Sequence, residues 1–166
     1  IDHGRTIAFG HGLGCHVCLL RPKSTGEVTL NSNDPFDSPK IDPKFFSERE
    51  DMDVMIKGYR KMMEIMNAEP LRPYTRKVQD PVDINSDADI EAAMRARADT
   101  VYHPVGTCKM GSDDMSVVNH ELKVHALENV RVVDASIMPT LVGGNTNAPT
   151  IMIGEKAADM IKSSWA

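Results

Sequence analysis

Cysteine is scarce in this 166-residue chain, with only Cys15, Cys18 and Cys108. A disulfide framework needs more, in an even number, so a reducing compartment and a cytoplasmic location are the expectation. Long apolar runs are also missing: no stretch approaches the ~18 apolar residues of a membrane-spanning helix. Lys and Arg never cluster beyond two in a row, and 19 basic against 24 acidic side chains leave a net charge of −5. Nucleic-acid binding, which requires a basic face, is therefore not expected. There is no internal repeat and no low-complexity segment. The first residues show no basic region followed by an apolar one, so no signal peptide is read. The chain opens on Ile1 rather than Met and reads as the middle of something longer.

Hydrophobic residues make up 41% and charged residues 26% of the chain, which is ordinary for a globular protein and excludes general disorder. At this length about two-thirds of the unfolded surface can be buried. Residues 1–14 are rich in Gly and His and are hard to place. The apolar runs at 17–20 and 28–30 flank the turn-forming Arg21-Pro22-Lys23-Ser24-Thr25-Gly26 and predict a β-hairpin. Pro35, Pro39 and Pro43 mark an irregular connection. Ser47-Glu48-Arg49-Glu50 matches a capping box. Beyond it Met52, Met55, Ile56, Tyr59, Met62, Met63 and Met66 recur at helical spacing and predict a helix over about 48–67. Its methionines are read as core filler, with a Met-lined partner groove as the alternative. Ser86 opens a second helix over 87–98, buried through Ile90, Ala93 and Met94. Short strands are predicted at 117–118 and 130–133. A last helix spans about 150–163, with Pro149 in its first turn and Ile153, Ala157 and Ile161 facing the core. The fold class is therefore α+β, antiparallel strands with packed helices, and no domain boundary is read within 1–166.

Four constellations compete for chemistry. Cys15-His16-Val17-Cys18 is a C-x-x-C pair with no second pair behind it. Two buried structural thiols are expected, a thiol or metal-binding module on Cys15 and Cys18 being the alternative. Gly10-His11-Gly12-Leu13-Gly14 falls short of G-x-G-x-x-G because Cys15 stands where the third glycine belongs, so a phosphate role is not expected. His103 sits between Tyr102 and Pro104, with Gly106 nearby. A histidine on a stiff loop that permits close approach suits general-base work, and a satisfied structural histidine is the bland reading. Finally, Asp134-Ala135-Ser136 and the loop to Asn147-Ala148-Pro149-Thr150 lead from a strand to a helix N-terminus. That end either caps a helix and nothing more, or faces an electron-accepting ring on which negative charge builds.

Four passages together carry a resemblance. They are Leu20-Arg21-Pro22-Lys23-Ser24 with Gly26, Val28 and Leu30; Tyr102-His103-Pro104 through Met110-Gly111; Val130 through Pro139; and Asn145 through Thr150 with Gly154-Glu155-Lys156-Ala157-Ala158-Asp159. In that order they resemble the C-terminal segment of the glucose–methanol–choline (GMC) flavin oxidoreductases, from residue 20 to the end. Val118-Asn119 departs from the pattern, which more often has Asp second.

The resemblance implies an FAD-dependent dehydrogenase or oxidase acting on an alcohol of the choline-like or simple aliphatic class. It implies that His103 accepts the hydroxyl proton while the carbinol carbon gives hydride to the flavin N5. It places Asn147 as the second active-site position, a hydrogen-bond partner of the substrate oxygen and not a base. It places Tyr102, Asp134, Ala135, Asn147, Ala148, Pro149 and Thr150 beside the flavin. The family's N-terminal dinucleotide-binding βαβ unit is not in this sequence. The chain is thus expected to be the C-terminal part of a larger enzyme, partnered by the N-terminal FAD-binding part of the same protein. Alone it is expected to hold no FAD, to lack turnover, and to be prone to self-association through uncovered apolar surface. A non-catalytic structural domain is the remaining alternative.

Overall fold

The computed structural model describes residues 11–165. The chain is α+β and divides into two compact units. The first comprises residues 11–19, 23–25 and 44–101, and the second residues 20–22, 26–43 and 102–165.

The first unit is built on two helices, α1 (Arg49–Met66) and α2 (Asp87–Arg97). Their apolar stripes meet as the spacing predicts: Met52, Ile56, Ile90 and Met94 form the buried core, with Phe46, Met55, Tyr59 and Val82 against it. Met52 and Met55 therefore serve as core filler, while Met62, Met63 and Met66 are half-buried outside that core. Ala93, expected on the buried face of α2, is only half-buried. Ser86 caps α2 by accepting from the amide of Asp89 at 3.2 Å, which satisfies one donor that the first turn leaves free. Across the helices Arg49 pairs with Glu91 at 2.5 Å and Arg60 with Asp87 at 2.5 Å.

The capping box at Ser47 does not form. Glu48 is the residue before α1, with no side-chain cap; instead the Ser24 hydroxyl accepts from the Glu48 amide at 3.1 Å. Asp51, only 4% exposed, turns its carboxylate the other way. It accepts from the amides of Lys23 at 2.9 Å and of Ser24 at 2.7 Å. Burial on its own would raise this carboxyl. The Lys23 amide, the Ser24 hydroxyl and amide and the Lys23 charge outweigh that and hold it below its ordinary value.

The predicted 17–30 hairpin is also absent. Val17 packs against Gly58 of α1, where a Cβ would lie 2.7 Å from Val17 Cγ2. The strand at 28 pairs elsewhere, within the second unit. There β1 (Glu27–Thr29) runs antiparallel to β2 (Lys40–Asp42), with Val28 opposite Ile41. Gly26 lets the two backbones meet, since a Cβ there would lie 2.2 Å from the Asp42 carbonyl oxygen.

The rest of the second unit winds around one core of Val118, Leu122, Ile137, Met138, Ile153 and Ala157. The predicted strands at 117–118 and 130–133 are reduced to single bridges: Met110 with Val118, Val118 with Val124, and Lys123 with Arg131. Turn chemistry explains the brevity. Asn119 Oδ1 accepts from the amides of Glu121 at 2.9 Å and Lys123 at 3.1 Å. An Asn does this as well as an Asp, so the departure at 119 is structurally neutral. Helix α3 (Asn147–Trp165) begins three residues earlier than predicted and packs Ile153 and Ala157 inward. Met160, not Ile161, completes that face: Met160 packs against the core while Ile161 is 36% exposed. Among the described residues no helix is long and apolar enough to cross a membrane.

Candidate active site

The loop that carries His103 is pinned from behind. The amide of Cys108 donates to the Ser136 carbonyl at 3.0 Å and that of Met110 to the Ile137 carbonyl at 2.8 Å. Ile137 and Met138 are core residues, so this stretch is as fixed as the core itself. Gly106 turns the loop at φ +89°, in the left-handed region that favours glycine. Tyr102 also has a positive φ, 62°, and is 79% exposed.

The second wall is the start of α3. Thr146 precedes the helix, and its carbonyl accepts from the Thr150 amide at 3.0 Å and the Thr150 hydroxyl at 2.7 Å. Asn147 and Ala148 are exposed, and among the described residues their amides have no hydrogen-bond partner. Pro149 has no N–H to offer. The helix thus ends in two free donors and its positive dipole end, with no carboxylate bonded to them. Upstream in the same loop, the Arg21 guanidinium lies over Gly143, where a Cβ would come within 3.0 Å of it.

The two walls are joined by one bond: His103 Nδ1 lies 2.9 Å from Thr146 Oγ1. This brings His103 beside the helix end that carries Asn147, Ala148, Pro149 and Thr150. Asp134 behaves differently. Its carboxylate accepts from the Ser136 amide at 2.7 Å and caps a short 3-10 turn, Ala135–Ile137. Ala135 packs against the core. These two residues therefore hold the turn that the His103 loop leans on. Thr146 and Arg21 were not among the site residues read from the sequence. For Thr146 the available signal was a cap-type residue three positions before a proline.

The other constellations do not assemble. Cys15 and Cys18 are exposed, not buried as expected, and among the described residues no three His, Cys, Asp or Glu side chains are grouped to hold a metal. Gly10 of the glycine-rich segment lies outside the described residues, and Gly12 and Gly14 are exposed. His125 Nε2 is 3.0 Å from the Gly111 carbonyl oxygen, a structural contact.

The GMC oxidoreductase family model matches residues 22–154. The chain belongs to the GMC oxidoreductase family. It is 51% identical over 161 residues to an alcohol dehydrogenase [acceptor] of Pseudomonas putida, covering 96% of this chain and 29% of that one. It is 46% identical over 161 residues to an oxygen-dependent choline dehydrogenase of Klebsiella pneumoniae, with the same coverage. Among solved structures, a formate oxidase from Aspergillus oryzae superposes with a TM-score of 0.83 at 35% identity, over 88% of this chain and 26% of that one. Pyridoxine 4-oxidase from Mesorbium loti does so with a TM-score of 0.78 at 31% identity, over 84% and 28%. The chain therefore spans less than a third of the length of these GMC relatives.

Proposed function

We propose that this chain forms the alcohol-side catalytic part of an FAD-dependent enzyme that oxidises an aliphatic or choline-like alcohol at its CH–OH group. The observation that carries the reading is the hydrogen bond that sets His103 against the start of α3. It places a titratable ring beside two free backbone amides and an amide side chain.

The donor set at this helix end suits the electron-rich edge of an isoalloxazine ring. Asn147, Ala148, Pro149 and Thr150 would lie along that edge, with Tyr102 beside it. Asp134 and Ala135 would act from behind, by fixing the turn under the His103 loop. Bound there, FAD would supply the electron-accepting ring that takes the electron pair of the carbinol C–H bond. His103 would take the hydroxyl proton on its free ring nitrogen. Asn147 would hold the substrate oxygen through its side-chain amide, orienting the carbinol carbon. A base so placed is worth roughly 10²–10⁴ in rate. The N-terminal part of the same protein would bind the rest of the cofactor and cover Ile151 and Met152, which are 58% and 57% exposed.

The test is His103→Ala in the full-length, flavin-loaded protein, assayed with a panel of primary alcohols and choline. Turnover should fall by about 10²–10⁴ with flavin absorbance retained. Undiminished turnover would remove His103 as the base.

A further inference from the structure

A threonine just before a helix ordinarily turns its hydroxyl onto the second or third backbone N–H of the helix. In α3 the third residue is Pro149, which has no N–H. That leaves only the Ala148 amide as a capping donor, and the Thr146 hydroxyl does not take it. It points instead to His103 Nδ1, 2.9 Å away. Thr146 is only 6% exposed, so water competes little for its hydroxyl. Its backbone is fixed independently by the two bonds from Thr150.

We propose that Thr146 is the positioning residue of His103, and this rests on the base role proposed for that histidine. Nδ1 carries the ring hydrogen and donates it to Thr146 Oγ1, which leaves the lone pair on Nε2. The Thr146 hydroxyl can donate or accept, so the base role decides the tautomer: with Nδ1 engaged, the lone pair must lie on Nε2 and the ring hydrogen on Nδ1. The substrate proton is therefore taken at Nε2. The hydroxyl also holds the ring against rotation, which would otherwise exchange the two nitrogens.

The experiment compares three variants of the full-length, flavin-loaded protein. Thr146→Val keeps the side-chain shape and removes the hydroxyl. It should lower kcat about tenfold with KM little changed, the size of one lost hydrogen bond acting in the chemical step. Thr146→Ser, which returns the hydroxyl, should recover most of that loss. His103→Ala run alongside separates the two claims. If it keeps turnover, the base role fails and this inference with it. If it collapses while Thr146→Val keeps its kcat, only the positioning role is overturned. A fall in Thr146→Val that serine does not reverse also overturns it, because the hydroxyl is then not the operative group. Should the valine variant not fold, Thr146→Cys replaces it. The thiol is a weak hydrogen-bond former, so a fall in kcat is expected and an undiminished kcat overturns the proposal.

Discussion

Ser24 and Asp51 bind one another across 27 positions of sequence, the serine amide donating to the buried carboxylate at 2.7 Å. With the Lys23 amide on the same group, this contact ties the turn at 23–25 to the first helix of its unit. Asp51→Ala removes every acceptor for these amides. We expect a loss of about 2–4 kcal/mol of stability, read as a lower midpoint in urea denaturation. Asp51→Asn keeps one acceptor oxygen and should lose less. Equal midpoints for Asp51→Ala and the parent would contradict the assignment.

The same carboxylate contributes to the acid limb of stability, together with Glu91, Asp113 and Glu121, which are also held below their ordinary values. Asp113 is held down to about 2 from its ordinary value of 3.8 by Lys109, the Ser116 hydroxyl and the Met115 amide. A carboxyl with a lowered folded pKa stabilises above its unfolded value, and that contribution disappears as pH falls through the folded one. Melting temperatures should therefore hold down to about pH 5 and decline steadily from about pH 4 to pH 2. Asp113→Asn should flatten part of that decline.

Gly26→Ala places a methyl group against the Asp42 carbonyl and Pro43, within 2.6 Å of backbone atoms. Neither can swing away as a side-chain tip can. The variant should be destabilised by about 1–3 kcal/mol, as overpacked sites are. Loss of β1–β2 pairing would be visible as faster amide exchange at Thr29 and Asp42, whose N–H groups face the partner strand.

Ser86→Ala leaves the Asp89 amide without its cap. About 1 kcal/mol should be lost. Ser86→Asn, which restores an acceptor at the same place, should recover it.

On the role proposed for Asn147, Asn147→Ala should affect turnover and leave folding little changed, since the side chain is exposed at the start of α3. A lost donor to the reacting oxygen costs about 10²-fold in kcat, and steady-state kinetics with flavin occupancy held equal would show it. A change in KM alone would mean that Asn147 binds substrate without aiding the chemistry.

The helices were legible because their apolar spacing was strong: Met52 and Ile56 find Ile90 and Met94 where the period places them. The strands were not, because the decisive partners lie outside the local window. Val28 pairs with Ile41, beyond a stretch of Asn, Asp and Pro that reads as loop. The Glu48 amide donates to the Ser24 hydroxyl, 24 positions back, and the capping box expected between Ser47 and Glu50 does not form. At the candidate site, His103 is singled out by its loop, and the roles proposed for it and for Asn147 rest on the family resemblance of the motifs around them. Thr146 is not singled out, because the ring it bonds lies 43 positions away.

The methionine content of the first unit gives it a chemical vulnerability that aliphatic side chains would not. Met55, Met62, Met63 and Met66 are half-buried along α1, whereas Met52 is wholly enclosed. Peroxide converts a thioether to a polar sulfoxide that no longer suits an apolar contact. The half-buried methionines should be oxidised first, with the helices still packed. Met52 is reached only when the helices part, so its rate of oxidation would time that opening.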